Sequence, residues 1–216
     1  MREISRCVWE NYLHWLICKE RTEIILLLFI WANAFEERKE IIFLSSNEDN
    51  WIIRDIMEIR TATIADLAQI AAVEAECFPA AEAATKEEFA ERIKYYGNHF
   101  WLMFEGEKLI AFVDGFVTDK PDLTDEMYEQ AEMHDENGAW QMIFGVNTIP
   151  AYRKHGYAGQ LLQCAIEDAR KRGRKGLVLT CKEKLIAYYA KFGFENEGIS
   201  ESVHGNVTWY QMRYKF

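Results

Sequence analysis

A mixed α/β fold follows from three observations on this 216-residue chain. Short apolar runs of strand length alternate with amphipathic runs of helical period. Two of the apolar runs meet at Glu105-Gly106-Glu107-Lys108, a hairpin signal. A third run, Trp140 to Val146, is followed by a basic, glycine-bearing turn and then by an amphipathic segment from Leu161 to Ala169. Half the residues are apolar, enough to bury a full core, and the length suits one domain or one domain with an appendage.

The elements read in order from Met57. Glu58 to Thr61 is a short strand. Thr63 to Glu76 is a helix that Thr63 or Asp66 can cap, with Ile64, Leu67, Ile70, Ala71 and Val73 as its apolar stripe. Thr85 with Glu88 forms a capping box for a second helix through Tyr95. Phe100 to Glu105 and Leu109 to Val117 are strands, and Asp122 to His134 is an acidic helix or loop. Trp140 to Asn147 is the central strand, and Gly156 to Lys171 is the helix after it. Leu177 to Cys181 is a strand, Lys184 to Lys191 a short helix, and the alternating tail through Val207, Trp209, Gln211 and Arg213 a last strand. No repeat or low-complexity linker interrupts the series.

The first 56 residues differ from the rest. They hold four of the seven tryptophans and the apolar run Ile24 to Trp31, which is shorter than the ~20 residues a membrane span requires. Ala32-Asn33-Ala34 resembles a signal-peptidase site, but the segment before it mixes basic and acidic side chains. A buried helical extension, a membrane-surface segment, and residues foreign to the natural protein all remain open for 1–56.

Charge and cysteines bound the function. The net charge of −10 argues against nucleic acid, whose phosphates need clustered Lys and Arg. From Asp114 to Glu136 there are nine carboxylates and one lysine, whereas Arg153 to Lys175 carries seven basic side chains and two acidic ones. One region suits a cationic substrate and the other an anionic cofactor, although both also read as solvated faces. The five cysteines form no Cys-x-x-Cys, so neither a disulfide frame nor a metal site is expected, and a reduced cytoplasmic setting fits.

The turn Arg153-Lys154-His155-Gly156-Tyr157-Ala158-Gly159 is the most informative stretch. A strand, a basic turn and a helix N-terminus aim several backbone N–H groups at one anion, for which a pyrophosphate is the natural ligand. No Gly-Lys-Ser/Thr or Gly-x-Gly-x-x-Gly occurs here, so this is neither a P-loop nor a Rossmann fingerprint.

Arg-x-x-Gly-x-Ala at 153–158, preceded by Val146 to Tyr152 and followed by Ala187-Tyr188-Tyr189-Ala190-Lys191-Phe192-Gly193-Phe194, resembles the paired markers of the GCN5-related N-acetyltransferase (GNAT) superfamily. The resemblance covers Met57 to Phe216, and from Leu109 to Met212 it is that of the arylalkylamine (serotonin) N-acetyltransferase branch, which has a long acidic insertion before the central strand. It implies a mostly antiparallel central sheet with flanking helices, and acetyl-CoA as cosubstrate. Met57-Glu58-Ile59-Arg60-Thr61-Ala62 resembles the start of such a domain, so 57–216 is expected to be the catalytic domain and Met57 its translation start.

By that resemblance the main chain of Val146, Asn147 and Thr148 pairs with the pantetheine arm, and 153–159 hold the pyrophosphate. Tyr189 takes the place of the tyrosine that protonates the departing coenzyme A sulfur. The branch carries two histidines on its central strand, but here Met142 and Phe144 stand at those positions, which leaves the general base and the acceptor open. His134 is the candidate base, with Asp114, Glu183 or a water chain as alternatives. His155 supports anion binding. The expected activity is acetyl transfer from acetyl-CoA to a small cationic primary amine in a direct ternary complex. The rival is a non-catalytic acyl-CoA-binding sensor or interaction module. No membrane span is expected, and a homodimer is left open.

Overall fold

A computed structural model of the protein describes residues 40–47, 50–203, 205 and 207–216. The apolar run Ile24 to Trp31 and the Ala32-Asn33-Ala34 sequence lie outside the described residues. The described chain opens with a hairpin, β1 (Glu40–Asn47) and β2 (Asn50–Thr61). Strand β2 runs through Met57 and also pairs with β3 (Phe100–Glu105).

Two helices follow β2. A tight 3-10 turn, Ile64–Asp66, precedes α1 (Leu67–Cys77). Asp66 accepts the Thr63 N–H at 2.8 Å and two bonds from Arg60 at 2.6 and 2.8 Å, so the entry is fixed by a buried carboxylate. Ile64 falls in that turn and is 62% exposed, so it does not belong to the expected stripe. Helix α2 (Lys86–Tyr96) starts on the expected capping box: Thr85 Oγ1 accepts the Glu88 N–H at 3.2 Å, and the Glu88 carboxylate accepts the Thr85 N–H at 2.6 Å. Its Phe89, Ile93 and Tyr96 face the core. There Phe89 meets Phe112 edge-on at 5.8 Å, and Tyr96 stacks on Phe100 at 5.9 Å.

The expected central sheet is present but divided in two. The run Leu109 to Val117 forms β4 (Lys108–Asp114) and β5 (Val117–Thr118). The acidic segment contains one helical turn, α3 (Glu126–Glu129), and a 3-10 turn, Ala131–Met133. The run Trp140 to Asn147 breaks at Phe144 into β6 (Trp140–Ile143) and β7 (Gly145–Thr148). Helix α4 (Tyr157–Lys171) lays Leu161, Leu162, Ala165, Ile166 and Ala169 on the sheet and returns the chain to β8 (Gly176–Cys181). After α5 (Ile186–Ala190), β9 (Glu195–Ile199) and β10 (Tyr210–Lys215) close the fold. The tail strand starts at Tyr210 rather than Val207.

The strand orders are β1-β2-β3-β4-β7 and β5-β6-β8-β10-β9. Every pair is antiparallel except β6 with β8, the pair joined by the α4 crossover. Among the described residues no helix is long and apolar enough to cross a membrane.

Candidate active site

The site begins with an irregularity. Asp114 pairs with Gly145 and Val117 with Gln141, so one strand needs an extra residue over the same span. That is a β-bulge, and it bends the chain out of one sheet and into the other. Asp114 secures it twice: its main-chain oxygen accepts the Phe144 N–H at 2.8 Å, and its carboxylate accepts the Gly145 N–H. A side chain at 145 would start 2.6 Å from Asp114 Oδ1 and 3.0 Å from Asn147 Nδ2, so only glycine fits. Gly145→Ala is therefore expected to destabilise the fold by ~1–3 kcal/mol, read from urea unfolding.

Beyond the bulge the strands part. Ile143 still pairs with Leu179 of β8, but β7 pairs only with β4. Thr180 and Cys181 pair with β10 on the far side. A wedge therefore opens between β7 and β8. Antiparallel strands point alternate residues' N–H and C=O groups at one neighbour. The Ile149 N–H bonds Ile110 O at 3.0 Å, which sets the phase: Asn147 bonds toward β4, while Val146 and Thr148 point into the wedge. The Asn147 side chain is buried on the α1 side and donates to Glu74 at 3.0 Å. Of the three strand residues expected to meet a pantetheine, two offer main chain to the opening and the third is structural.

The basic turn caps the wedge. Arg153 Nε donates to Thr148 O at 3.0 Å, tying the turn to the end of β7. Lys154 (φ 68°) and Gly156 (φ 86°) both adopt the left-handed conformation. Gly156 is the N-cap of α4, which has no side-chain cap and no acidic residue in its first turn. The leading N–H groups of a helix have no partner within it, so Tyr157, Ala158 and Gly159 present theirs outward with the positive end of the helix dipole. The His155 ring stacks on Tyr157 at 5.7 Å and its Nδ1 lies 2.9 Å from Arg153 O. The Phe192 ring occupies the space beside Gly159, so the two marker segments touch each other.

Tyr189 stands on the opposite wall, 93% buried. Tyr188 turns toward Gly159 and Phe192, whereas Tyr189 packs on Phe194 at 6.1 Å and lies close to Cys181 and Tyr128. Burial raises the Tyr189 phenol above its ordinary value, so it keeps its proton. Burial likewise pushes the Cys181 thiol up to about 11, leaving it neutral and a poor nucleophile. Tyr128 of α3 closes the mouth. Its ring packs on Phe144 at 4.8 Å, and its hydroxyl meets Thr180 Oγ1 at 3.3 Å.

A family model described as "Acetyltransferase (GNAT) family" matches residues 67–194, more than half of the chain. The chain belongs to this family. Among curated proteins, serotonin N-acetyltransferase of Mesocricetus auratus is 26% identical over 111 residues, 51% of this chain and 52% of that protein. The chain thus spans about half the length of that relative. The loading GNATL domain of CurA from Lyngbya majuscula has a TM-score of 0.65 at 16% identity, covering 74% of this chain and 97% of that one. The GphF GNAT-like decarboxylase in complex with isobutyryl-CoA gives 0.64 at 21% identity, covering 73% and 98%. At such identities these structures attest the fold.

Within this GNAT fold His134 stands away from the wedge. Its neighbours are Tyr96, His99, Phe116 and Glu136, and Phe116 lies between it and Phe144. Its Nδ1 accepts the Val117 N–H at 3.2 Å, so the neutral ring carries its proton on Nε2. Burial first, and His99 second, lower its pKa. His99 is fully buried between Gln141 at 2.8 Å and Glu136 at 2.9 Å.

One nitrogen from each of His99 and His134 and one oxygen of Glu136 lie within 4.8 Å of one another, close enough for a metal. The surrounding bonds oppose one. His134 Nε2 is protonated in that arrangement, and Arg172 and Arg174 already hold the other Glu136 oxygen at 3.0 and 2.8 Å. Against the cost of burial, His99, Asn98 and Arg172 hold Glu136 down to about 2. The cluster is an ion-paired clasp between the acidic insertion and the segment after α4.

Glu183 sits in the Glu183–Leu185 turn at the rim of an open pocket with Lys182, Lys184 and Tyr210. A second cavity, of about 240 Å³, lies between α2 and the insertion. Glu87, Glu88, Glu91 and Glu129 line it, with Arg92 and Tyr128 on its inner side. Arg92 and Tyr128 both also contact Phe144 at the bulge.

Proposed function

We propose that this protein transfers an acetyl group from acetyl-CoA to a small primary amine, with cationic acceptors preferred, by direct attack in a ternary complex. The observation that carries this reading is the wedge between β7 and β8. One wall offers the main-chain edge of Val146 and Thr148, which pairs with no strand on that side, and the other carries the buried phenol of Tyr189. A pantetheine arm laid on that edge as an added strand puts its pyrophosphate at the uncapped start of α4. The thioester then lies at the bulge, where main-chain N–H groups polarise its carbonyl. The amine attacks that carbonyl carbon, and Tyr189 protonates the sulfur as the C–S bond breaks.

The four glutamates of the α2–α3 cavity support a cationic acceptor, because they form an acidic wall one ring away from the bulge. The test is thiol release with acetyl-CoA and an amine panel, beside calorimetry of acetyl-CoA alone. Turnover favouring amines with a second positive charge is expected. Glu129→Gln with Glu91→Gln should raise KM for those amines roughly three- to thirty-fold, with kcat little changed. Preference for neutral-tailed amines would reverse the cationic assignment.

A second reading has its own support. Met142 is fully buried and Phe144 packs under Tyr128, so neither central-strand position supplies an ionisable group. Acetyl-CoA binding without turnover on any amine would identify a non-catalytic acyl-CoA-binding module.

A further inference from the structure

Two carboxylates and one guanidinium are buried together behind the bulge. Glu74 of α1, Asp114 of β4 and Arg92 of α2 are each at least 94% buried. Glu74 accepts the Ala84 N–H at 3.1 Å through one oxygen and Asn147 Nδ2 at 3.0 Å through the other. Asp114 accepts from Arg92 at 3.3 Å and from the Gly145 N–H. Arg92 also donates to Tyr128 O at 2.9 Å, which leaves its Nε without a partner, as is Asn147 Oδ1. Asp114 Oδ1 and Asn147 Nδ2 flank the space above Gly145, so the group reaches the point where the wedge opens.

A single cation does not balance two buried carboxylates. Charges of like sign in one buried site keep one proton between them. Burial first, and the Asp114 charge second, push Glu74 up to about 7, while burial against Arg92 leaves Asp114 at about 6. The titratable and charged groups facing Glu74 are Asp114, Arg92 and the Cys77 thiol of its own helix, with the Ala84 N–H and Asn147 as its polar contacts. A folded-state pKa above the ordinary value means that ionisation costs stability as pH rises toward and through 7. A neutral glutamine would accept the Ala84 N–H without that cost, and its NH2 would donate to Asn147 Oδ1 once that amide turned over.

We propose that Glu74, acting through Asp114, holds the proton that the acceptor ammonium must lose before attack. The proposal rests on the acetyl-transfer reading and fills its missing base. One proton passes from the ammonium to the carboxylate pair, and from there to solvent after turnover. The second leaves nitrogen as the C–N bond forms, and it replaces the proton that Tyr189 gives to sulfur as the C–S bond breaks. The products are an amide, a thiol and one released proton. Glu74 positions the proton and touches no reacting atom.

The experiment compares kcat/KM against pH for the wild type and Glu74→Gln on one amine, so that the ionisation of the amine itself cancels. The pair must be ionised to accept a proton, so the wild-type rate falls as pH drops through about 7. In Glu74→Gln the rate at pH 8 should fall roughly ten-fold and the acid limb should shift downward or vanish. Turnover with an unmoved acid limb overturns the proton role alone. Absence of turnover on every amine overturns the acetyl-transfer reading and this role together. Should the variant fail to fold, carbon-13 NMR of the wild-type Glu74 carboxyl decides. Titration near 7 supports the role, and titration below about 5, in the ordinary glutamate range, overturns it.

Discussion

Gly156→Glu is expected to abolish acetyl-CoA binding while leaving the protein folded. The residue has φ 86° at the N-cap of α4, and a side chain built there meets nothing within 4 Å. The empty space is where the proposed pyrophosphate would lie. Three effects of the substitution act together. A non-glycine residue held left-handed costs ~1–2 kcal/mol. The added bulk enters the anion's space. The new carboxylate takes up the helix N-terminus and repels a phosphate. The strain weighs on the fold in the free and bound protein alike, whereas the bulk and the charge together predict a loss of affinity of a hundred-fold or more.

Gly156→Asn separates these contributions, since asparagine tolerates the left-handed region and brings no charge. It should retain measurable affinity, reduced by roughly ten-fold. Calorimetry with acetyl-CoA reads both variants, and far-UV circular dichroism checks that they fold. If Gly156→Glu binds acetyl-CoA like the wild type, the phosphate turn lies elsewhere.

The basic turn was legible from residues alone because it is local. Arg153 to Gly159 needs only a strand before it and a helix after it, and the φ of 86° at Gly156 follows from its place in the turn. That Tyr188 and Tyr189 point different ways was legible because neighbours on a helix stand about 100° apart. The division of the sheet was not. It depends on Asp114 bonding the main chain of Phe144 and Gly145 about 30 residues away, a contact no local pattern encodes. His134 misled for the same reason. Its composition suited a base, but Phe116 screens it from the wedge.

The buried charges left a trace. Arg92 falls in register with Phe89, Ile93 and Tyr96, and Glu74 with Ile70, Val73 and Cys77. A charged residue within an apolar stripe has to find a partner inside the fold. Reading those two positions as buried would have pointed to a polar centre between α1, α2 and the central strand. Tyr128 left no comparable signal, because α3 is a single turn whose position depends on its packing over Phe144 and Thr180.

Tyr189→Phe should lower kcat by roughly ten-fold to a thousand-fold and leave acetyl-CoA affinity within about two-fold of wild type. The split follows from geometry. The ring packs against Phe194 and Tyr188, and phenylalanine keeps that packing. Only the hydroxyl is lost, and with it the proton for the leaving sulfur. Burial raises the phenol above its ordinary value, so it is protonated throughout the neutral range and its own titration lies well above it. The wild-type profile should therefore show no alkaline limb from Tyr189 between pH 7 and about 9.5. The variant should lose rate by the same factor across that span. Donors with better leaving groups separate an acid from a packing residue. An acetyl thioester of a more acidic thiol needs less protonation, so it should recover part of the lost rate in Tyr189→Phe and gain less in the wild type. Equal gains in both proteins, or unchanged turnover with acetyl-CoA, would remove the hydroxyl from the proton path. Tyr128, whose hydroxyl also meets the wedge through Thr180, would then be the next phenol to replace.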